Sequence, residues 1–218
     1  MLLLPACFAA SRLALELTSA SHSPGAATIP PAAMAIGGGY LLWLAVYFTM
    51  PKPVRTYILA HELTHALWGA LMGARIFGMS ISRDRGSVTL SKTNFLITLA
   101  PYFFPLYTVL AVIVYYVLAI FYDPEPYHLW WLAVVGFTWG FHFTFTISSL
   151  LQHQTDIQAY GTIFSYSIIY LFNTLGICLW IVLVSSPTIE DLVSMAGTEM
   201  AEAWWTCCDF VQSLLDKY

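Results

Sequence analysis

The stretch RTYILAHELTHALWGALMGARI, residues 55–76, decides how this chain is read. It is long and apolar enough to cross a bilayer, for which about 20 residues are needed. Yet its centre carries His61, Glu62 and His65. On a helix, residues four apart share one face, one turn apart. The two imidazoles therefore converge, and together they can bind one Zn²⁺ at about 2.0–2.1 Å. Glu62 lies next to His61, within reach of a metal-bound water. Zinc brings that water's pKa towards neutrality, and a carboxylate can take its proton and pass it to a leaving amine. This is the HExxH arrangement of zinc hydrolases. Two imidazoles and a carboxylate buried without a ligand are expensive. The structural alternative is a hydrogen-bonded polar knot that holds helices together.

The rest of the chain has the composition of a membrane protein. Of 218 residues, 59% are hydrophobic and only 9% charged, against roughly 25% charged in a soluble domain. A chain of this length still exposes much of its surface, so its solvent is read as lipid. No Lys, Arg, Asp or Glu occurs in 17–50, 93–122, 126–155 or 157–189. The expected fold is all-α: a polytopic membrane helix bundle of about five spans with a small β-hairpin insert. The spans fall near 32–50, 55–76, 95–122, 128–150 and 159–185. Pro101 and Pro105 predict a kink or break in the third. Net charge is −4, and no basic cluster suggests nucleic acid.

Three regions follow: an N-terminal interfacial segment and linker at 1–31, a membrane domain at 32–187, and an acidic amphipathic tail at 188–218. Residues 1–17 lack the positive leader of a secretory signal. Residues 18–31 read as a linker. The tail from Glu190 holds six acids against Lys217, with Met200, Trp204, Val211 and Leu215 near helical spacing. That suits a helix lying on a membrane, or a partner surface. Residues 78–92 alternate around Arg83-Asp84-Arg85-Gly86, which predicts a β-hairpin. Its free edge could take an extended peptide as an added strand. Cys7, Cys178, Cys207 and Cys208 lack zinc-ligand spacing and read as free thiols. Gly69 and Gly73 form a GxxxG step suited to close helix approach.

A catalytic zinc needs a third protein ligand. Asp156 is the candidate, because it alone interrupts the apolar stretch from 126 to 189. It could also cap the helix of the fifth span, and His142 is the rival ligand. His61 and His65 lie near mid-membrane, roughly 15–20 Å along the helix from Pro51. A broken or re-entrant segment at 148–158 would bring Asp156 to that depth, lining a wet cavity. His128 and His153 sit at span ends and read as interfacial. Asn94, Asn173 and Gln154 are the available oxyanion donors.

Positive-inside reasoning puts the hairpin in the cytoplasm and the Asp123–Glu125 turn outside. Lys52 and Arg55 conflict with this, since they fall at the opposite end of the second span.

HELTH within a span, a hairpin-like insert after it and a distal Asp together resemble the site-2 protease family. This is the M50 group of intramembrane zinc metalloproteases, in its compact M50B-like branch. The resemblance covers roughly residues 55–160. It implies zinc on His61, His65 and Asp156, with Glu62 as the catalytic acid/base. It also implies a multi-pass protein in a lipid bilayer that cleaves membrane-protein substrates beside the hairpin. Thr64 stands where the family often has Gly, and Gln154-Thr155-Asp156-Ile157 replaces its Asn-Pro-rich stretch. A membrane family with a Glu ligand would have only Glu199 or Glu202 to offer. The other functional classes open to this sequence are a metal-binding scaffold or transporter, and a zinc hydrolase of lipids or small amides.

Overall fold

The computed structural model describes residues 3–21, 29–83, 85–152 and 154–216. The chain is mostly helical, with one two-stranded antiparallel sheet. It divides into two compact units: residues 1–30 with 161–218, and residues 31–160.

The first unit packs α1 (Leu3–Ala20) against α8 (Thr162–Val184) and α9 (Ile189–Leu215). Leu13 and Leu17 of α1 are buried with Cys178 and Val182 of α8. Arg12 on α1 bridges Glu199 and Glu202 of α9, at 2.8 and 2.9 Å. Helix α9 packs through Leu192, Met195 and Ala196 and also buries Ala203. It leaves Met200, Trp204, Trp205 and Phe210 exposed. The side chains of Val211 and Leu215 lie outside the described residues, as do residues 22–28 of the expected linker, whose first three residues belong instead to α1. All four cysteines are free thiols.

The second unit carries the HELTH segment. Helix α2 (Pro31–Thr49) lies along α6 (His128–Leu150) with their backbones in contact. A Cβ on Gly39 would meet the Ala133 carbonyl oxygen at 1.9 Å, and one on Gly136 would meet that of Ile36 at 2.0 Å. The close helix approach is therefore made here. Gly69 and Gly73, expected to play this part, do something else. Gly69 faces the side chain of Leu90 on the hairpin, and Gly73 (φ 73°) closes α3 (Val54–Leu71) in the left-handed conformation that glycine adopts without penalty.

Strands β1 (Ile76–Ile81) and β2 (Gly86–Leu90) form the expected hairpin, with a bulge between Ile76 and Gly78. Ser82 closes it: its backbone N–H and its hydroxyl both donate to the Arg85 carbonyl, each at 2.8 Å. Asp84 lies outside the described residues. The hairpin does not project beyond the end of α3. It folds back along the helix, so that Gly86 packs on Ile58 and Glu62. Only part of the hairpin's charge returns with it, since Lys92 stays beside Gly73 at the far end of α3. Arg85 returns to the first half of α3 and lines the same cleft as Lys52. The Asp123–Glu125 turn lies at the other end of α6 from Ser148, which pairs with Tyr47 at the end of α2 (2.7 Å).

The third expected span is broken, as its prolines predict. Helix α4 (Phe95–Leu99) and a 3-10 turn (Ala100–Tyr102) meet α5 (Leu106–Ala119) at an 82° bend. Among the described residues, two helices are long and apolar enough to cross a membrane, α2 and α8, or three if the bent pair is one span. That is fewer than the five expected. The physical reason lies in the composition of the other two: α3 carries Arg55, His61, Glu62 and His65, and α6 carries two His, several Trp and many hydroxyls. The site and its polar lining lower the hydropathy of the helices that hold them.

Candidate metal centre

Helix α3 presents His61 and His65 on one face, as their spacing requires. Their Nε2 atoms are 3.2 Å apart. The chain breaks after α6 and re-enters a short helix, α7 (Thr155–Ala159), with Asp156 in its first turn. Asp156 does not cap the fifth apolar segment, because α8 starts after Gly161. Its Oδ2 lies 3.4 Å from Nε2 of His61 and 3.6 Å from Nε2 of His65. Four donors at zinc bond lengths in a tetrahedron are about 3.3–3.4 Å apart. The three observed edges match one face of such a tetrahedron and leave its fourth vertex free.

Neighbouring groups orient each donor. The Nδ1–H of His65 donates to the Ile97 carbonyl at 2.8 Å, which leaves its Nε2 lone pair facing the centre. The Tyr57 hydroxyl is 3.3 Å from Nδ1 of His61. The Tyr102 hydroxyl donates to Oδ2 of Asp156 at 3.1 Å. Two imidazole lone pairs and a carboxylate oxygen at these separations repel one another unless a cation or a proton sits between them. The donor set can hold a metal ion.

Glu62 is buried beside this triangle. A Cβ on Gly86 would meet its Cγ at 2.5 Å and its Oε1 at 2.7 Å. Only a glycine lets β2 come this close. Two clefts meet at His61, Glu62, Gly86 and Gln154. The larger, about 690 Å³, reaches His65 and Asp156 and is lined by every residue from Gly86 to Leu90. Side chains alternate faces along a strand, so a cleft that touches five consecutive residues runs along the strand's edge. That edge is the one β1 leaves unpaired. The second cleft, about 430 Å³, runs from Glu62 to Lys52 and Arg85.

The other candidates fall elsewhere. His142 is buried on α6 with its Nε2 unpartnered, and it lines a cavity of about 10 Å³ shared with His61 and Thr64. It is not in the donor group. Asn94 caps α4 by accepting from Ile97 N at 3.0 Å, and Asn173 bonds its own helix in the other unit. Gln154 alone of the three reaches both clefts. His128 is held at the start of α6, 3.2 Å from the Tyr115 hydroxyl, and His153 lies outside the described residues. Tyr57, Tyr102 and Ile97 were not singled out from the sequence, and Gly86 was read only as part of the hairpin turn. Tyr57 could have been, since it lies one turn before His61 on the same face.

No family model matches the chain, and no curated protein or solved structure is similar to it at a significant level.

Proposed function

We propose that this protein is an intramembrane zinc endopeptidase of the site-2 protease type. On this reading it crosses the bilayer about five times, through α2, α3, the bent α4–α5 pair, α6 and α8. It cleaves peptide bonds in or near the membrane segments of other proteins. The observation that carries the reading is a His61–His65–Asp156 donor triangle with a buried carboxylate, Glu62, where it meets an unpaired strand edge.

His61, His65 and Asp156 would hold the ion. Bound zinc supplies Lewis acidity towards a peptide carbonyl and towards water. The chain's own residues do the rest. An extended substrate pairs with the free edge of β2, which exposes peptide bonds that a helix would shield. The edge runs past Glu62 and the triangle, so the paired strand passes the reacting centre in register with the hairpin. Glu62 takes a proton from water onto its carboxylate and delivers it to the leaving nitrogen. Ile97, Tyr57 and Tyr102 keep the three donors aimed.

The deciding experiment pairs metal analysis with cleavage of a membrane-embedded test peptide by the purified full chain. Glu62→Gln is expected to retain zinc and lose cleavage, by about 10²-fold or more. Asp156→Ala is expected to lose both. Undiminished cleavage by Glu62→Gln would remove the peptidase role and leave a metal-binding scaffold or transporter.

A further inference from the structure

The cleft leading away from Glu62 on the Lys52 side is not used by the reading above. It is lined by Lys52, from the turn before α3, and by Arg85, from the hairpin tip. Both are exposed. These residues are far apart in sequence and line one cleft only because the hairpin folds back along α3. Neither forms an ion pair with an acid among the described residues. Lys52 Nζ is instead held over the Tyr47 ring, 4.6 Å from its centroid. The rest of the lining is uncharged apart from Glu62, mixing Ser148, Gln152 and Gln154 with apolar Val54, Ile58 and Phe145. At the inner end stands Glu62, which repels an anion. A negative group is therefore favoured at the mouth of this cleft and disfavoured at its end.

The distance has a consequence for substrate choice. Residues 54–61 rise about 10 Å along α3 between Lys52 and the centre, whereas Arg85 adjoins Gly86, which packs on Glu62, and is set apart from the centre only by the length of its exposed side chain. An extended peptide covers about 3.3 Å per residue. We propose that Lys52 and Arg85 form a carboxylate-binding mouth that selects peptide segments with an Asp or Glu about three to five residues from the cleaved bond. This rests on the endopeptidase reading for what is cleaved, but the charge preference stands on the cleft alone. A phosphate of the lipid headgroup layer is the competing anion, since basic side chains at a membrane surface commonly reach for it.

The test uses the purified full chain in neutral-lipid nanodiscs and two labelled apolar peptides. They differ only by Glu or Gln four residues from the centre. Binding is read by fluorescence anisotropy and cleavage by mass spectrometry. The native chain is expected to bind the Glu peptide about three- to tenfold more tightly, the effect of two exposed charge pairs. In a Lys52→Gln/Arg85→Gln variant the ratio between the peptides is expected to fall to about one. A Lys52→Glu/Arg85→Glu variant is expected to prefer a peptide with Lys at that position, which a misfolded protein would not do. Equal binding of both peptides by the native chain overturns the proposal. So does a preference that survives in the Gln variant. Loss of binding to phosphatidylglycerol vesicles in that variant, with peptide preference unchanged, assigns the cations to lipid and also overturns it. A Glu preference without cleavage of either peptide leaves the mouth in place and removes the peptidase reading.

Discussion

The Tyr102 hydroxyl donates to the Oδ2 atom of Asp156 at 3.1 Å, and this oxygen is the one that faces both imidazoles. Tyr102 is fully buried at the end of the 3-10 turn before the 82° bend, so the kinked segment serves to aim a carboxylate. Outer-sphere partners of this kind are worth about 10–100-fold in metal affinity. Tyr102→Phe keeps the ring and removes only the donor. Its zinc affinity, measured by competition with a chelator, is expected to fall by that factor while the fold persists. An unchanged affinity would show that the carboxylate is positioned by its backbone alone.

Gly86 and Glu62 are in contact without an intervening side chain. Gly86→Ala forces β2 away from α3 or pushes the Glu62 carboxylate aside. Cleavage is expected to drop at least tenfold, since a displacement of about 1 Å at a reacting centre can cost far more. Zinc content should stay at the native level because the three atoms nearest the added carbon belong to Glu62 and Ile58 and not to His61, His65 or Asp156. Parallel loss of zinc and activity would point to general unfolding instead.

His142 and Asp156 were rival third ligands in the sequence, and the geometry separates them. His142→Leu removes a buried nitrogen that has no partner. Replacing an unsatisfied buried polar group by an apolar one of similar size is close to neutral or stabilising. Zinc content is expected to be unchanged, and the thermal midpoint in detergent unchanged or higher. Asp156→Ala, measured beside it, should lose zinc. The reverse pattern would reassign the ligand.

Much of the candidate site was legible because its central part is local. His61, Glu62 and His65 lie within five residues, and helix periodicity alone places them. Asp156 was legible for another reason: an isolated acid in a long apolar stretch has few places to be. Ile97, Tyr102 and Gly86 were not, because their roles depend on how α4 and the hairpin fold back over α3. The chain contains two GxxxG steps, Gly69/Gly73 and Gly136/Gly140, which look alike in sequence. Only tertiary packing shows that Gly136 receives a helix and Gly69 receives a hairpin leucine. The proline break was readable because proline acts on its own helix. The number of spans was harder to read, because the polar residues of the site dilute the hydropathy of α3, and His, Trp and hydroxyl side chains outside the donor group dilute that of α6.

Arg12 is the only cation among the described residues of the first unit, and it holds two acids of α9. Glu199 is buried, so removing Arg12 leaves a carboxylate with no compensating charge in a poorly solvated place. Arg12→Ala is expected to lower the thermal midpoint of the purified chain by several degrees. Adding Glu199→Leu should restore most of the loss. A midpoint that does not move would mean the pair is screened well enough to contribute nothing.

The bare contact between Gly39 and Ala133, with its counterpart between Gly136 and Ile36, bears on how a substrate could get in. The two helices touch backbone to backbone at these glycines, and beside them Trp43 is packed on Phe137 and Phe141 and donates to Thr144, so parting them would break both kinds of contact at once. The cheaper movement belongs to the hairpin and the bent segment, which lie on α3 through side chains. On the proposed peptidase reading, a sideways door for substrate should therefore open on that flank, with the glycine-locked pair serving as its fixed jamb.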